Sequence, residues 1–215
     1  HQLHRRQRQM CIRDSNQTMQ LEKKCPIFPL GIVVFPGNIQ SLQIFEPRYL
    51  KMVKECLNSD SGFVITLQNP NIDSFKDKGT YVKVIDFNNL PNGLLGITVK
   101  AINRVEIKSI ETDADNLNFG DVMPISDPIV DDQSLLAKFP DLINILNQLV
   151  SHPKVKELPI DIDFSSADSV SYHLGGLIPL ATPDKQLLLD AFDAGQRLNI
   201  LSRLVAEMTG NVEKS

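Results

Sequence analysis

FPLGIVVFPGNIQSLQIFEPRY, residues 28–49, carries two short apolar runs, a turn and a helix start in immediate succession. Ile32-Val33-Val34-Phe35 and Leu42-Gln43-Ile44-Phe45 have the β-branched and aromatic content of short strands, and Pro36-Gly37-Asn38 between them is a strong turn signal. Pro29 and Pro36 restrict these strands to an edge or to their ends, and Gly37 permits a positive φ in the turn. Phe35 and Phe45 are expected to fill the interior of the sheet. Glu46-Pro47 then places proline at the first helical position, with Glu46 set to accept backbone N–H groups and Arg48 to pair with a carboxylate across the sheet–helix junction. Leu50, Val53 and Leu57 follow at offsets of three and seven, so this face is predicted to lie on the sheet, with Lys51, Lys54 and Glu55 opposite and an end before Asn58-Ser59-Asp60.

Working outward, Phe63 to Leu67 reads as a buried strand and Asn69 to Lys78 as a polar loop holding a lone Phe75. A long hairpin follows. Tyr81 to Ile85 and Leu95 to Lys100 alternate in register about the Pro91-Asn92-Gly93 turn, and the return strand is expected to continue to Ile110. A last strand from Phe119 to Ile125 completes a six-stranded, twisted, partly closed sheet. The pattern then turns helical. Leu135 to Val150 is amphipathic with a break at Pro140, Ser151 to Phe164 is polar, and Ala167 to Leu177 is a short helix. Thr182-Pro183 reads as a cap followed by proline at the first helical position. Leu187, Leu188, Ala191 and Phe192, then Leu198, Leu201, Leu204 and Val205, are the expected apolar faces of the final two helices. Strands segregated before helices indicate an α+β chain. The expected divisions are a non-native or disordered tail at 1–18, a β subdomain at 19–126 and a helical bundle at 127–215.

The net charge of −4 over 215 residues is uneven. Residues 1–18 hold four arginines against Asp14 alone, a balance of +3, which leaves −7 on the remainder. An acidic body disfavours general nucleic-acid binding, which needs a basic face to displace counterions from phosphates. No apolar run approaches the roughly 20 residues of a membrane-spanning helix. Cys11, Cys25 and Cys56 form no CxxC pair, and an odd count suits a reducing compartment, so the cytoplasm is the expected location.

Catalytic and cofactor motifs are missing. Gly175-Gly176 are followed by Leu-Ile-Pro, unlike a phosphate-binding loop, and no GxGxxG, HExxH or GxSxG occurs. His152 and His173 lie too far apart for a local metal motif, and Ile162 and Phe164 interrupt any calcium-loop pattern among Asp161, Asp163 and Asp168. No catalytic residue, cofactor or metal is therefore assigned.

The FPL…FPG segment leading into Ile44-Phe45-Glu46-Pro47-Arg48-Tyr49 resembles the opening of the amino-terminal domain of ATP-dependent Lon proteases. Gly79 to Ile107 resembles that family's next block, and Asp184 to Leu189 with Arg197-Leu198 its closing helices, so the resemblance covers about Cys25 to Met208. It departs at Gly31 and in the loop from Asn69 to Lys78. The resemblance implies a PUA-like twisted β pseudo-barrel with one helix, followed by a C-terminal helical bundle. It also implies a substrate-recognition and assembly role without catalysis, in a standalone protein carrying only this domain. No Pro-Ser-Ala-Gly nucleophile segment is found in the chain.

The expected partners are unfolded or exposed protein segments and a separate ATPase or protease, with no membrane and no nucleic acid. Phe75, Leu90, Leu94 and Phe119 are the candidate peptide-binding residues, because they stand on expected loops or turn flanks with no evident core to join. Arg48 and Tyr49 either border a groove between barrel and bundle or maintain the fold. The alternatives are an RNA-binding PUA-like module and a small-molecule enzyme with an unrecognised pocket.

Overall fold

The computed structural model describes residues 24–69 and 74–212, with side chains to 210, so the tail at 1–18 lies outside the described residues. Six strands come first, interrupted by one helix: β1 (Cys25–Leu30), β2 (Ile39–Ile44), α1 (Pro47–Ser59), β3 (Phe63–Gln68), β4 (Phe75–Asn89), β5 (Leu95–Thr112) and β6 (Asn118–Pro124). Six helices follow: α2 (Asp132–Leu136), α3 (Pro140–Ser151), α4 (Pro153–Lys156), α5 (Ala167–Leu177), α6 (Thr182–Asp190) and α7 (Ala194–Val212). The chain is α+β.

The sheet runs in the order β2-β5-β4-β3-β1-β6, and β6 pairs again with β5. The length of β5 makes this return possible, because Leu95 to Lys100 pairs with β2 while Val105 to Thr112 pairs with β6. A barrel-like sheet results, with β2 as an additional edge strand. β1 and β3 are parallel, which explains the intervening helix, since parallel neighbours cannot be joined by a tight turn. On β3, Phe63 and Ile65 enter one apolar cluster and Val64 the other, so both faces are buried and the strand reads as a continuous apolar run.

Several local expectations are corrected. Ile32 to Phe35 is not a strand; β1 lies upstream, and the segment crosses in irregular form so that Val33 and Phe35 join the helical cluster rather than the sheet interior. Phe45 is exposed. Phe75 begins β4, opposite Gln68, instead of standing in a loop. On α1 the buried face is Tyr49, Met52, Val53 and Cys56, and Leu50 and Leu57 face outward. Glu46 makes no side-chain cap; its carbonyl accepts from Tyr49 and Leu50 while its carboxylate holds Arg48 locally. The N-cap of α6 is Ala181 rather than Thr182, and it is Leu188 and Leu189 that are buried there, with Leu187 and Phe192 outside.

The sheet and the helices are joined by a buried charged junction. Arg104 on β5 bonds the carbonyls of Leu189 and Ala191, each at 2.6 Å, and also reaches Asp127. Arg197 on α7 meets Asp127 at 2.6 Å, Asp168 and the hydroxyl of Ser171, and its guanidinium lies 4.1 Å from the centre of the Tyr172 ring. Burial alone would raise the Asp127 pKa, but Arg197 and Arg104 outweigh it and the value is lowered. Asp168 behaves oppositely: burial and then the adjoining Asp127 push it up to about 6, against the pull of Arg197.

This gives a signed pH dependence. A carboxyl whose folded pKa exceeds its unfolded value binds protons more tightly when folded, so its stabilisation is full at low pH and is lost as pH rises from about 4 to about 6. Half of the Asp168 side chain meets solvent, so after screening the expected loss is about 1 kcal/mol. Asp168→Asn should flatten that slope. Denaturant midpoints at pH 4.5 and 6.5 check it, and a slope unchanged by the substitution refutes the assignment.

Candidate functional site

Two surfaces flank α1. The first is a polar cleft of about 710 Å³ whose lining includes Pro29, Tyr49, Gln68, Phe75, Asn116 and Asn118. It forms because the β1–β6 ladder stops at Ile27 and Asn118, leaving Pro29 beyond the last pair. Pro29 has no N–H to offer at that opening. The first turn of α1 closes another wall, where Arg48 bonds Glu46 at 2.8–2.9 Å and the Asn116 carbonyl at 2.8 Å, lying 4.7 Å from the centre of the Tyr49 ring. Tyr49 in turn packs 4.0 Å from Phe28, and burial first, then Glu46 against Arg48, leaves its pKa raised. A smaller recess of about 180 Å³ shares Pro29, Glu46, Tyr49 and Gln68 and extends toward Gly31 and Phe45.

The second surface is an apolar groove of about 210 Å³ between the outer face of α1 and the β4–β5 hairpin, its lining made by Leu50, Val53, Lys54, Leu57, Phe87 and Leu95 together with Asn58. Phe87 is 59% exposed, Leu57 41% and Leu50 37%. Large apolar side chains gathered around one open groove differ from the scattered ones that any surface carries.

The structure brings Arg48, Tyr49 and Phe75 together in the polar cleft. All of its lining falls between residues 29 and 118, so the cleft lies within the β half and not between barrel and bundle. Phe75 and Phe119 are partly buried and pack against two different apolar clusters, so both have a core to join. Phe75→Ser should therefore lower stability by about 1–2 kcal/mol, a fraction of full side-chain burial. Thermal unfolding tests this, and an unchanged midpoint returns Phe75 to a purely surface role. Leu90 and Leu94 are half-buried across the hairpin turn, where the Leu90 N–H bonds the Leu94 carbonyl at 2.9 Å, and neither lines the groove or the cleft.

Sequence reasoning missed the groove, although a signal was present. The helix carries Tyr49, Leu50, Met52, Val53, Cys56 and Leu57, more apolar residues than a single sheet-facing stripe requires.

The family model for the substrate-binding domain of ATP-dependent protease La (LON) matches residues 24–207. The chain belongs to the Lon substrate-binding domain family. Among its relatives, the Lon protease of Heliobacterium modesticaldum is 26% identical over 207 residues, covering 90% of this chain and 25% of that protein. The Lon protease of Buchnera aphidicola from Schizaphis graminum is 24% identical over 196 residues, covering 85% and 25%. The chain thus spans about a quarter of the length of the Lon proteases it matches. The crystal structure of a Lon N-terminal domain protein from Xanthomonas campestris is 25% identical with a TM-score of 0.65, covering 85% of this chain and 97% of that one. The N-terminal domain of the Lon protease from Mycobacterium avium complex shares the fold at 15% identity, with a TM-score of 0.67 over 83% of this chain and 96% of that one. As a Lon substrate-binding domain, the chain shows no helix among its described residues long and apolar enough to cross a membrane.

Proposed function

We propose that this Lon-family domain is a non-catalytic recognition module that captures exposed apolar segments of other proteins and presents them to a cytoplasmic ATP-dependent protease. The observation that carries the reading is the open groove between α1 and the hairpin, where Leu50, Leu57 and Phe87 converge without burying one another. Folded proteins bury most such side chains, so a receptor that needs several of them together on one extended segment favours unfolded over folded chains. Lys54 lies in the same lining and makes no ion pair with any described residue, so it lets a bound segment carry an acidic neighbour. Leu90 and Leu94 at the hairpin tip extend the surface over which a longer segment travels.

Family membership supports the class of ligand, and the groove supports the place. Titration of a reduced, alkylated and permanently unfolded polypeptide, followed by fluorescence anisotropy, should give saturable binding, whereas the same polypeptide in its native fold should not bind. Equal binding of both forms, or of neither, ends this reading.

A further inference from the structure

We propose that the polar cleft beside the first turn of α1 is a second polypeptide site, one that holds the backbone of an extended, uncharged segment through side-chain amides. The inference rests on the reading of the chain as a polypeptide receptor and adds a ligand class that the apolar groove cannot select.

The cleft is open but its charges are already satisfied. Arg48 and Glu46, the two charged side chains in the lining, are paired with each other, so the charge of the cleft cancels within it. An anion, whether a phosphate or a carboxylate, would have to displace Glu46 from Arg48. What remains unspent is neutral. The amides of Gln68 and Asn116, the Asn118 amide nitrogen and the Tyr49 hydroxyl make no hydrogen bond to any described residue, whereas the Asn118 amide oxygen accepts from Thr112 at 2.7 Å. Side-chain amides and phenols donate and accept together, which is the complement of a peptide group offering one N–H and one C=O. Tyr49 is only 6% exposed, so its ring orientation is fixed by Phe28 and Arg48 before any ligand arrives.

Two further features favour an extended segment over a compact molecule. The cleft continues into the smaller recess through four shared residues, making a track along the end of β1. Simple strand addition on β1 is blocked there because Pro29 cannot donate, so the grip must come from the side chains opposite it. Phe75 and Pro29 supply apolar walls for the Cα and Cβ atoms of a bound chain. Asn116 has φ of 59°, a conformation that asparagine tolerates, and Asp113 fixes the turn by accepting from the N–H groups of Asp115 and Leu117 at 2.9 Å. The turn places the Asn116 carbonyl on Arg48 and leaves its side chain free.

The test uses a hexapeptide of Ser, Gln and Gly with blocked termini, which has neither charge nor a large apolar group. In 15N-resolved NMR titration of the full chain, the side-chain NH2 signals of Gln68, Asn116 and Asn118 should shift together and saturate. Gln68→Ala with Asn116→Gly should weaken binding at least fivefold; Gln68 is exposed and glycine suits the positive φ, so the fold is kept. Backbone N-methylation of the peptide should weaken it comparably, and Leu50→Asp in the apolar groove should leave it unchanged. If the unfolded apolar polypeptide binds but the hexapeptide moves none of these signals at millimolar concentration, the cleft proposal fails while the groove reading stands. If the hexapeptide binds and the apolar polypeptide does not, the cleft stands and the groove reading fails. Binding by neither overturns both.

Discussion

Asp127→Ala should be the most damaging single substitution outside the apolar cores, lowering stability by about 3–5 kcal/mol. Asp127 lies on the segment between β6 and α2 and accepts from Arg104 of the sheet and Arg197 of the helices at once. Its side chain is 8% exposed, and those of the two arginines 2% and 0%. Without the carboxylate, two guanidinium groups face each other out of water with Asp168 as the remaining acid. The penalty comes from that uncompensated charge more than from the lost attraction. At about 2–4 °C per kcal/mol for a domain of this size, the thermal midpoint should drop by about 10 °C.

The junction is not a fully satisfied network, because Arg104 Nε and Arg197 Nη1 are buried without a hydrogen-bond partner. Replacing Asp127, Arg104 and Arg197 together with apolar residues should therefore cost less than the single change, since no charge would be stranded. A triple variant less stable than Asp127→Ala would show that the network adds stability beyond compensating its own burial.

The order of strands and helices was legible because β3, α1, the hairpin and α5 each carry a strong local period or a clear punctuating residue. Pro140 separates α2 from α3, and the positive φ at Gly37 lets the turn approach α5, where an added Cβ would stand 2.9 Å from the His173 ring. What failed depended on partners distant in sequence. Ile32 to Phe35 has strand composition, but an apolar run does not specify whether a sheet or a helical bundle will bury it, and here Val33 and Phe35 pass to the bundle. Phe75 stood alone among polar residues, and only its pairing with Gln68 and its packing against the apolar cluster that contains Ile27 and Val64 reveal it as part of the sheet. Neither candidate surface could be read from spacing, because the groove joins α1 to strand residues up to about 45 positions away and the cleft joins it to residues up to about 70 away. Of the proposed binding residues, Phe75 reaches the cleft beside Arg48 and Tyr49, while the groove depends on Leu50 and Leu57, expected on the sheet-facing side of α1, and on Phe87, which no sequence pattern marked.

Leu50→Asp combined with Phe87→Thr should reduce affinity for an unfolded apolar polypeptide by ten- to a hundredfold while lowering stability by only about 1–2 kcal/mol, a fraction of full side-chain burial. The two residues approach one groove from different elements, so both walls are altered together. The stability cost should stay below that of a core substitution because Leu50 is 37% and Phe87 59% exposed in the free protein, so only part of each side chain's burial is lost. Aspartate near the start of α1 is favoured by the helix dipole, and threonine retains β propensity on β4. Binding should suffer because a partner apolar side chain would then be buried against a carboxylate that must shed water, and the contact area of one aromatic ring would be lost. Affinity should be measured beside the Gln68→Ala, Asn116→Gly variant, whose groove is intact. If the groove variant binds apolar chains normally, Leu50 and Phe87 are only exposed; if it loses as much stability as a core substitution, they contribute to the core after all.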